Sequence, residues 1–175
     1  MSRFLITTLI GTIILFVPVQ DRFTLTEILN NYDPGRNLTT VLLPSKKVSG
    51  PKGRYHSLSY SIYYSYPGKV ATLPRDVNFE LTSVVKARRL NTDLYVVFLL
   101  DGREIHFGSS RSAIRNPVPG KPWIGERMVF HVPREDFLKL AEAKHLGVKL
   151  GDVSFEFAEE TCNSIKAFAK TIRDN

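Results

Sequence analysis

The chain has 175 residues, 24 Lys and Arg against 17 Asp and Glu, a formal net charge of +7 and a sequence pI near 9.6. That length suits one domain with a core large enough to need no staples, and a single cysteine, Cys162, excludes an intramolecular disulfide in any redox compartment. The basic excess favours contact with anionic surfaces and carries no information about fold.

The first segment is MSRFLITTLIGTIILFVPVQ, in which Arg3 precedes an uncharged run from Phe4 to Val19 before charged sequence begins at Asp21 and Arg22. This is the n-region and h-region pattern of a secretory signal, and the run falls short of the roughly 20 residues that cross a bilayer core. No A-x-A-like triplet follows it, so an uncleaved anchor stands as the alternative. The expectation is a signal peptide over 1–20 and one β-rich domain over 21–175 of an exported protein, periplasmic, cell-envelope or secreted.

Residues 31–54, NYDPGRNLTTVLLPSKKVSGPKGR, are interrupted by Pro34, Pro44 and Pro51 and by Gly35, Gly50 and Gly53, which predicts loop around one short strand, Thr39–Leu43. The period then becomes two. In YHSLSYSIYYSY, residues 55–66, every even position from His56 is apolar or aromatic, with Ser57, Ser59, Ser61 and Ser65 between them. This is the pattern of a half-buried strand ended by Pro67-Gly68, and the tyrosine ladder reads as one wall of a core rather than a binding platform. The alternation returns from Val77 to Val85, with Asn78, Glu80 and Thr82 facing out.

LYVVFLL, residues 94–100, is apolar on both faces and runs into Asp101-Gly102, which predicts a tight hairpin with Arg103–Phe107 as its partner. Pro133 then opens REDFLKLAEAK, where Phe137, Leu140 and Ala141 have helical spacing, acids fill the first turn and Lys144 closes the last. Val148–Leu150 and Val153–Phe157 flank Gly151-Asp152 as a second hairpin. AEETCNSIKAFAKTI closes the chain with Cys162, Ile165, Ala169 and Ile172 on one helical stripe, and Cys162 reads as a small buried apolar group. The fold class expected is mainly β (α+β): an antiparallel β-sandwich or strongly curved sheet of about seven to eight strands, a crossover helix near 134–144 and a C-terminal helix near 159–172.

The segments DRFTLTE, FELTSVV, LYVVFLLDGREIHFG, ERMVFHVPREDFLKLAEAK and GDVSFEFAEE, in this order, resemble a family of small exported bacterial proteins of unknown function. The resemblance implies export and a β-rich fold and brings no activity, cofactor or site residue with it.

The search for chemistry yields mostly absences. His56, His106, His131 and His145 occur singly, with no H-x-H or HExxH spacing and no Cys partner, so no metal site is expected. GSSRS, residues 108–112, lacks the G-x-S-x-G elbow and follows a strand rather than opening a helix. NPVPGKPWIG, residues 116–125, is no phosphate loop, and no cofactor is expected.

Two features read as binding candidates. Lys46, Lys47, Lys52 and Arg54 lead into the tyrosine strand from a Pro- and Gly-broken loop where no core role is expected. Trp123 lies in the loop 116–125 beside Arg115 and Lys121, as a surface anchor or a cap on the end of the core. The function expected is a non-catalytic exported sandwich that binds a partner protein, an anionic envelope polymer or a lipid headgroup. Nucleic acid, which basic groups interleaved with aromatics would also suit, fits an exported protein poorly. The other reading is an enzyme whose site is assembled from loop residues such as His106, Arg111 and Arg115.

Overall fold

The computed structural model describes residues 28–50, 52–53, 55–86, 96–107 and 112–173, with the main chain alone over 112–115. The elements in chain order are β1 (Leu29–Asp33), β2 (Leu38–Ser49), β3 (Tyr55–Pro67), β4 (Asp76–Lys86), β5 (Val96–Leu100), β6 (Arg103–Ile105), β7 (Ser112–Pro117), β8 (Trp123–Pro133), α1 (Arg134–Glu142), β9 (Leu146–Leu150), β10 (Val153–Glu156) and α2 (Glu159–Lys170). The expected signal over 1–20 lies outside the described residues, and no described helix is long and apolar enough to cross a membrane.

The strands form a 6-stranded antiparallel sheet in the order β1-β2-β3-β4-β8-β7 and a 4-stranded sheet in the order β10-β9-β5-β6. The inner face of the larger sheet is written by period two: Leu58, Tyr60, Ile62, Tyr64 and Tyr66 of β3, Val77, Phe79, Leu81 and Val85 of β4, and Met128, Phe130 and Val132 of β8 are all buried. The smaller sheet covers one half of that face, where Phe79 meets Phe98 edge-on at 5.0 Å between ring centroids and Tyr55 meets Phe155 at 5.4 Å. The two helices cover the other half, where Tyr64 and Phe137 both pack edge-on against Phe168. Hydrocarbon burial of this kind stabilises by about 2 kcal/mol per large side chain. The mainly β architecture, the crossover helix and the C-terminal helix are as the sequence predicts.

Three local expectations need correction. Residues 31–54 are not mainly loop, because β1 and β2 pair from Leu29↔Leu42 to Asp33↔Leu38 around a turn in which Asp33 Oδ1 accepts the Gly35 and Arg36 N–H groups at 2.9 and 3.2 Å. β2 then runs straight through Pro44, which has no N–H for the ladder. The strand tolerates it because the register with β3 shifts between Leu43 and Lys46, a bulge that leaves Pro44 out of the pairing. A second irregularity, between Tyr55 and Ser57 in the β3–β4 ladder, turns the phase of the tyrosine strand: Tyr55 is buried and His56 is exposed, the reverse of a strict even-residue rule. The strand count is ten among the described residues rather than seven or eight.

The predicted hairpin at Asp101-Gly102 forms with positive φ at both residues, 50° and 81°, the signature that Asp-Gly supplies at low cost. Asp101 also accepts the backbone N–H groups of Lys144 and His145 on Oδ1, at 3.0 and 2.8 Å, which ties the α1–β9 connection to this turn. α1 ends at Glu142, leaving Lys144 in that connection instead of the last helical turn.

Candidate functional site

Residues from three strands and one turn converge at one end of the larger sheet, where β3 begins, β4 ends and the β7–β8 hairpin turns. Val118-Pro119-Gly120-Lys121 is a type II turn, with Lys121 N–H donating to Val118 O at 3.1 Å and Gly120 at φ 70°. The turn delivers Lys121 onto the first residue of β8, Trp123, with Nζ 4.6 Å from the ring centroid. Lys86, the last residue of β4, stands directly opposite Trp123 in the register. The indole lies against the His56 ring at 3.9 Å between centroids and 33° between planes, and the bulge at Tyr55/Ser57 is what sends His56 outward to meet it. Ile124, one residue on, faces the core opposite buried Val85, so Trp123 belongs to the outer face. It is a half-exposed surface group on a strand, not a loop residue and not a cap on the core. Lys86 and Lys121 are exposed and make no ion pair with any described residue.

The basic segment 46–54 divides among other tasks. Lys46 and Lys47 are strand residues of β2, opposite Tyr60 and Ser59. Lys46 Nζ donates to Ser164 Oγ of α2 at 3.0 Å, and both lysines border a shallow cleft of about 280 Å³ with Glu160 and Thr161. Lys52 Nζ donates to Ser154 O of β10 at 2.6 Å and sits over the Phe155 ring. The expectation of a loop is therefore overturned for Lys46 and Lys47, which are strand residues, while Lys52 stays exposed outside the strands. The long stems of Lys46 and Lys52 place their ammonium groups on hydroxyl and backbone acceptors of neighbouring elements. Arg54 lies outside the described residues, as do Arg88, Arg89 and Arg111. Arg115 is on β7, paired with Glu126 in the register with β8.

A larger cleft of about 560 Å³ opens between α2 and the outer face of the smaller sheet. Leu99 and Gly147 floor it, Leu146, Phe157 and Cys162 line it, and Lys144, His145, Glu156, Glu159 and Lys166 stand around it. Sequence reasoning missed this site because its residues come from β5 and its turn, from the start of β9 and the connection before it, from the end of β10 and from α2, none with a motif. Gly147 precedes the expected strand Val148–Leu150, and only the extension of β9 back to Leu146 makes it a strand glycine at a close backbone approach.

Groups with shifted titration are structural in character. Burial pushes the Tyr60, Tyr64 and Cys162 pKa values up and holds these groups neutral. A raised thiol pKa withholds the thiolate that nucleophilic chemistry needs. Arg127 is raised by its hydrogen bond to Glu80 at 2.6 Å on the outer face of the larger sheet. One buried carboxylate, Glu126, stands on the core face and accepts from Ser83 Oγ at 3.3 Å. His56, His106, His131 and His145 are exposed, and no cluster of His, Cys, Asp and Glu with metal-holding geometry occurs among the described residues. No protein-family model, curated protein or solved structure matches the chain.

Proposed function

We propose that this protein is an exported, non-catalytic β-sandwich that binds an anionic component of the cell envelope through the basic and aromatic end of its larger sheet. The observation that carries this reading is the convergence of Lys86, Lys121, His56 and Trp123, in which exposed cations without carboxylate partners flank a half-exposed indole. Unpaired ammonium groups beside an aromatic ring that tolerates an interfacial position suit phosphate or carboxylate groups displayed on a surface. Export is supported by the pattern of residues 1–20 and by the family resemblance. The alternative, an enzyme built on His106, Arg111 and Arg115, draws less support, because each shifted group among the described residues is either a buried neutral or a cation hydrogen-bonded to a carboxylate.

Trp123 is the sole tryptophan of the chain, so its fluorescence reads out this surface directly. Titration with phosphatidylglycerol vesicles is expected to shift the emission to the blue, while phosphatidylcholine vesicles leave it alone. Each cation near an anionic surface contributes about 1 kcal/mol, so the variant carrying Lys86→Gln and Lys121→Gln should bind roughly 30-fold more weakly. Exposed charges are screened within about 8 Å at physiological ionic strength, so binding should also weaken on going from about 0.05 to about 0.5 M salt. A soluble polyanion that competes with the vesicles would place the partner among polymers. Binding to neutral vesicles with equal strength, or binding indifferent to salt, overturns the reading.

A further inference from the structure

We infer that the cleft between α2 and the outer face of the smaller sheet is a binding site for a short zwitterionic peptide with apolar side chains. The wall of the cleft is one face of α2. Glu159, Cys162, Asn163 and Lys166 all line it, and positions i, i+3, i+4 and i+7 share a helical face. A rise of 1.5 Å per residue puts the carboxylate-bearing and ammonium-bearing ends of that wall about 10 Å apart along the axis. Between them Leu99, Phe157 and the Cys162 thiol offer apolar surface beside Asn163. The floor cannot fill itself: a Cβ on Gly147 would come within 2.8 Å of the Phe155 carbonyl oxygen, so this position of β9 admits no side chain without moving the backbone.

The pairing of charges nearby singles the cleft out. On the same sheet face Lys149 pairs with Glu104 at 3.0 Å, and beyond the far end of α2 Arg173 pairs with Glu142. Lys144, Glu156, Glu159 and Lys166, which surround the cleft, make no ion pair with any described residue. Charges of both signs are thus left facing one cavity with an apolar floor. A purely anionic ligand would meet the two glutamates and a purely cationic one the two lysines, whereas a molecule with an ammonium at one end and a carboxylate at the other complements both. Three extended residues span about 10 Å, which matches the separation along the helix. A volume of about 560 Å³ lies inside the roughly 300–1,000 Å³ of ligand pockets.

The test uses Leu-Ala-Leu as the probe, titrated into the ¹⁵N-labelled full chain. Amide shifts are expected to move at Gly147, Leu99 and Asn163, and to stay put at Trp123 and Lys86. An exposed ion pair is worth up to about 1 kcal/mol, so N-acetylation or C-amidation of the peptide should each weaken binding by about fivefold. Glu159→Gln should remove the penalty for acetylation and Lys166→Gln the penalty for amidation; both replacements are exposed helix positions where the fold is expected to persist. The variant with Lys86→Gln and Lys121→Gln should bind the tripeptide as the parent does, which keeps this site separate from the anionic surface proposed above. Absence of shifts at the cleft with about 10 mM peptide, about ten times a 1 mM dissociation constant, overturns the inference. Equal binding of the doubly blocked peptide, or tighter binding of a fatty acid such as decanoate, does so as well.

Discussion

The inner face of the larger sheet is roofed twice, and the two roofs are held down differently. Under the smaller sheet the contacts are rings on rings: Phe98 takes Phe79 at 5.0 Å and Phe130 at 5.8 Å, with a phenol bond only at the edge, from Tyr55 Oη to Leu150 O at 3.3 Å. Under the helices polar bonds join the packing. Tyr64 Oη donates to the carbonyl of Thr171, the C-cap of α2, at 3.3 Å, and Lys46 reaches Ser164 at 3.0 Å. A strand arrives with its backbone groups already paired to its neighbours, so a sheet can be roofed with hydrocarbon alone. A helix end carries carbonyls without intrahelical partners, and a tyrosine beneath it supplies both the ring and the donor.

Four measurements break or sharpen this contrast, each read as urea denaturation of the variant. The largest effect is expected at Phe98, which is fully buried between the sheets: Phe98→Ala should cost about 3–5 kcal/mol through lost transfer energy and the cavity it leaves. A loss under about 1 kcal/mol would mean that the smaller sheet is a loosely seated lid. Next come the polar fasteners under the helices. Tyr64→Phe and Lys46→Met should each cost about 1 kcal/mol, the net value of one hydrogen bond, and a cost equal to that of Phe98→Ala would erase the distinction between the roofs.

The third measurement is the alkaline limb. Burial raises the Tyr60 and Tyr64 pKa values in the folded chain, whereas an unfolded tyrosine ionises near pH 10. The stability these residues contribute is therefore complete below about pH 10. It declines above that, because the unfolded chain releases protons that the folded one retains. Tyr60→Phe should flatten the decline, and an unchanged slope would remove Tyr60 from the account. The smallest effect is that same substitution at neutral pH. Tyr60 Oη is buried beside Ser164 without the geometry of a hydrogen bond, so Tyr60→Phe should leave stability within about 0.5 kcal/mol or raise it, since a buried hydroxyl without a partner is itself a cost. A loss of about 2 kcal/mol, the size of a broken buried bond, would show that the hydroxyl is bonded in solution.

Much of the fold was legible in the sequence, and the residues show why. Leu58 through Tyr66 alternate without interruption, and all five even positions are buried. Asp101-Gly102 and Gly151-Asp152 mark their hairpins because Asp101, Gly102 and Gly151 take positive φ, which few other residues adopt cheaply. The stripe Cys162, Ile165, Ala169 and Ile172 faces the core as its spacing predicts. The misses cluster where tertiary pairing outweighs a local signal. Pro44 reads as a strand breaker, yet a bulge absorbs it. His56 falls in the apolar phase, yet the irregularity between Tyr55 and Ser57 reverses it. Lys46, Lys47, Lys52 and Arg54 read as one basic patch, yet Lys46 bonds to Ser164 of α2 and Lys52 to Ser154 of β10.

What the sequence by itself determined is which face of β3 and β4 is buried, where the β5–β6 and β9–β10 hairpins turn and which stripe of each helix is apolar. These depend on side-chain period and on backbone conformations that few residues adopt, both local properties. Tertiary structure alone decided which cations are consumed and which stay free. Lys46 and Lys86 are alike in the sequence, but one faces Ser164 of a helix 118 residues away and the other stands opposite Trp123 with no carboxylate in reach among the described residues. A lysine's partner is set by which element packs above it. The same is true of the cleft beside α2, since its floor, wall and charges come from segments that only the packing of a helix against a sheet brings together.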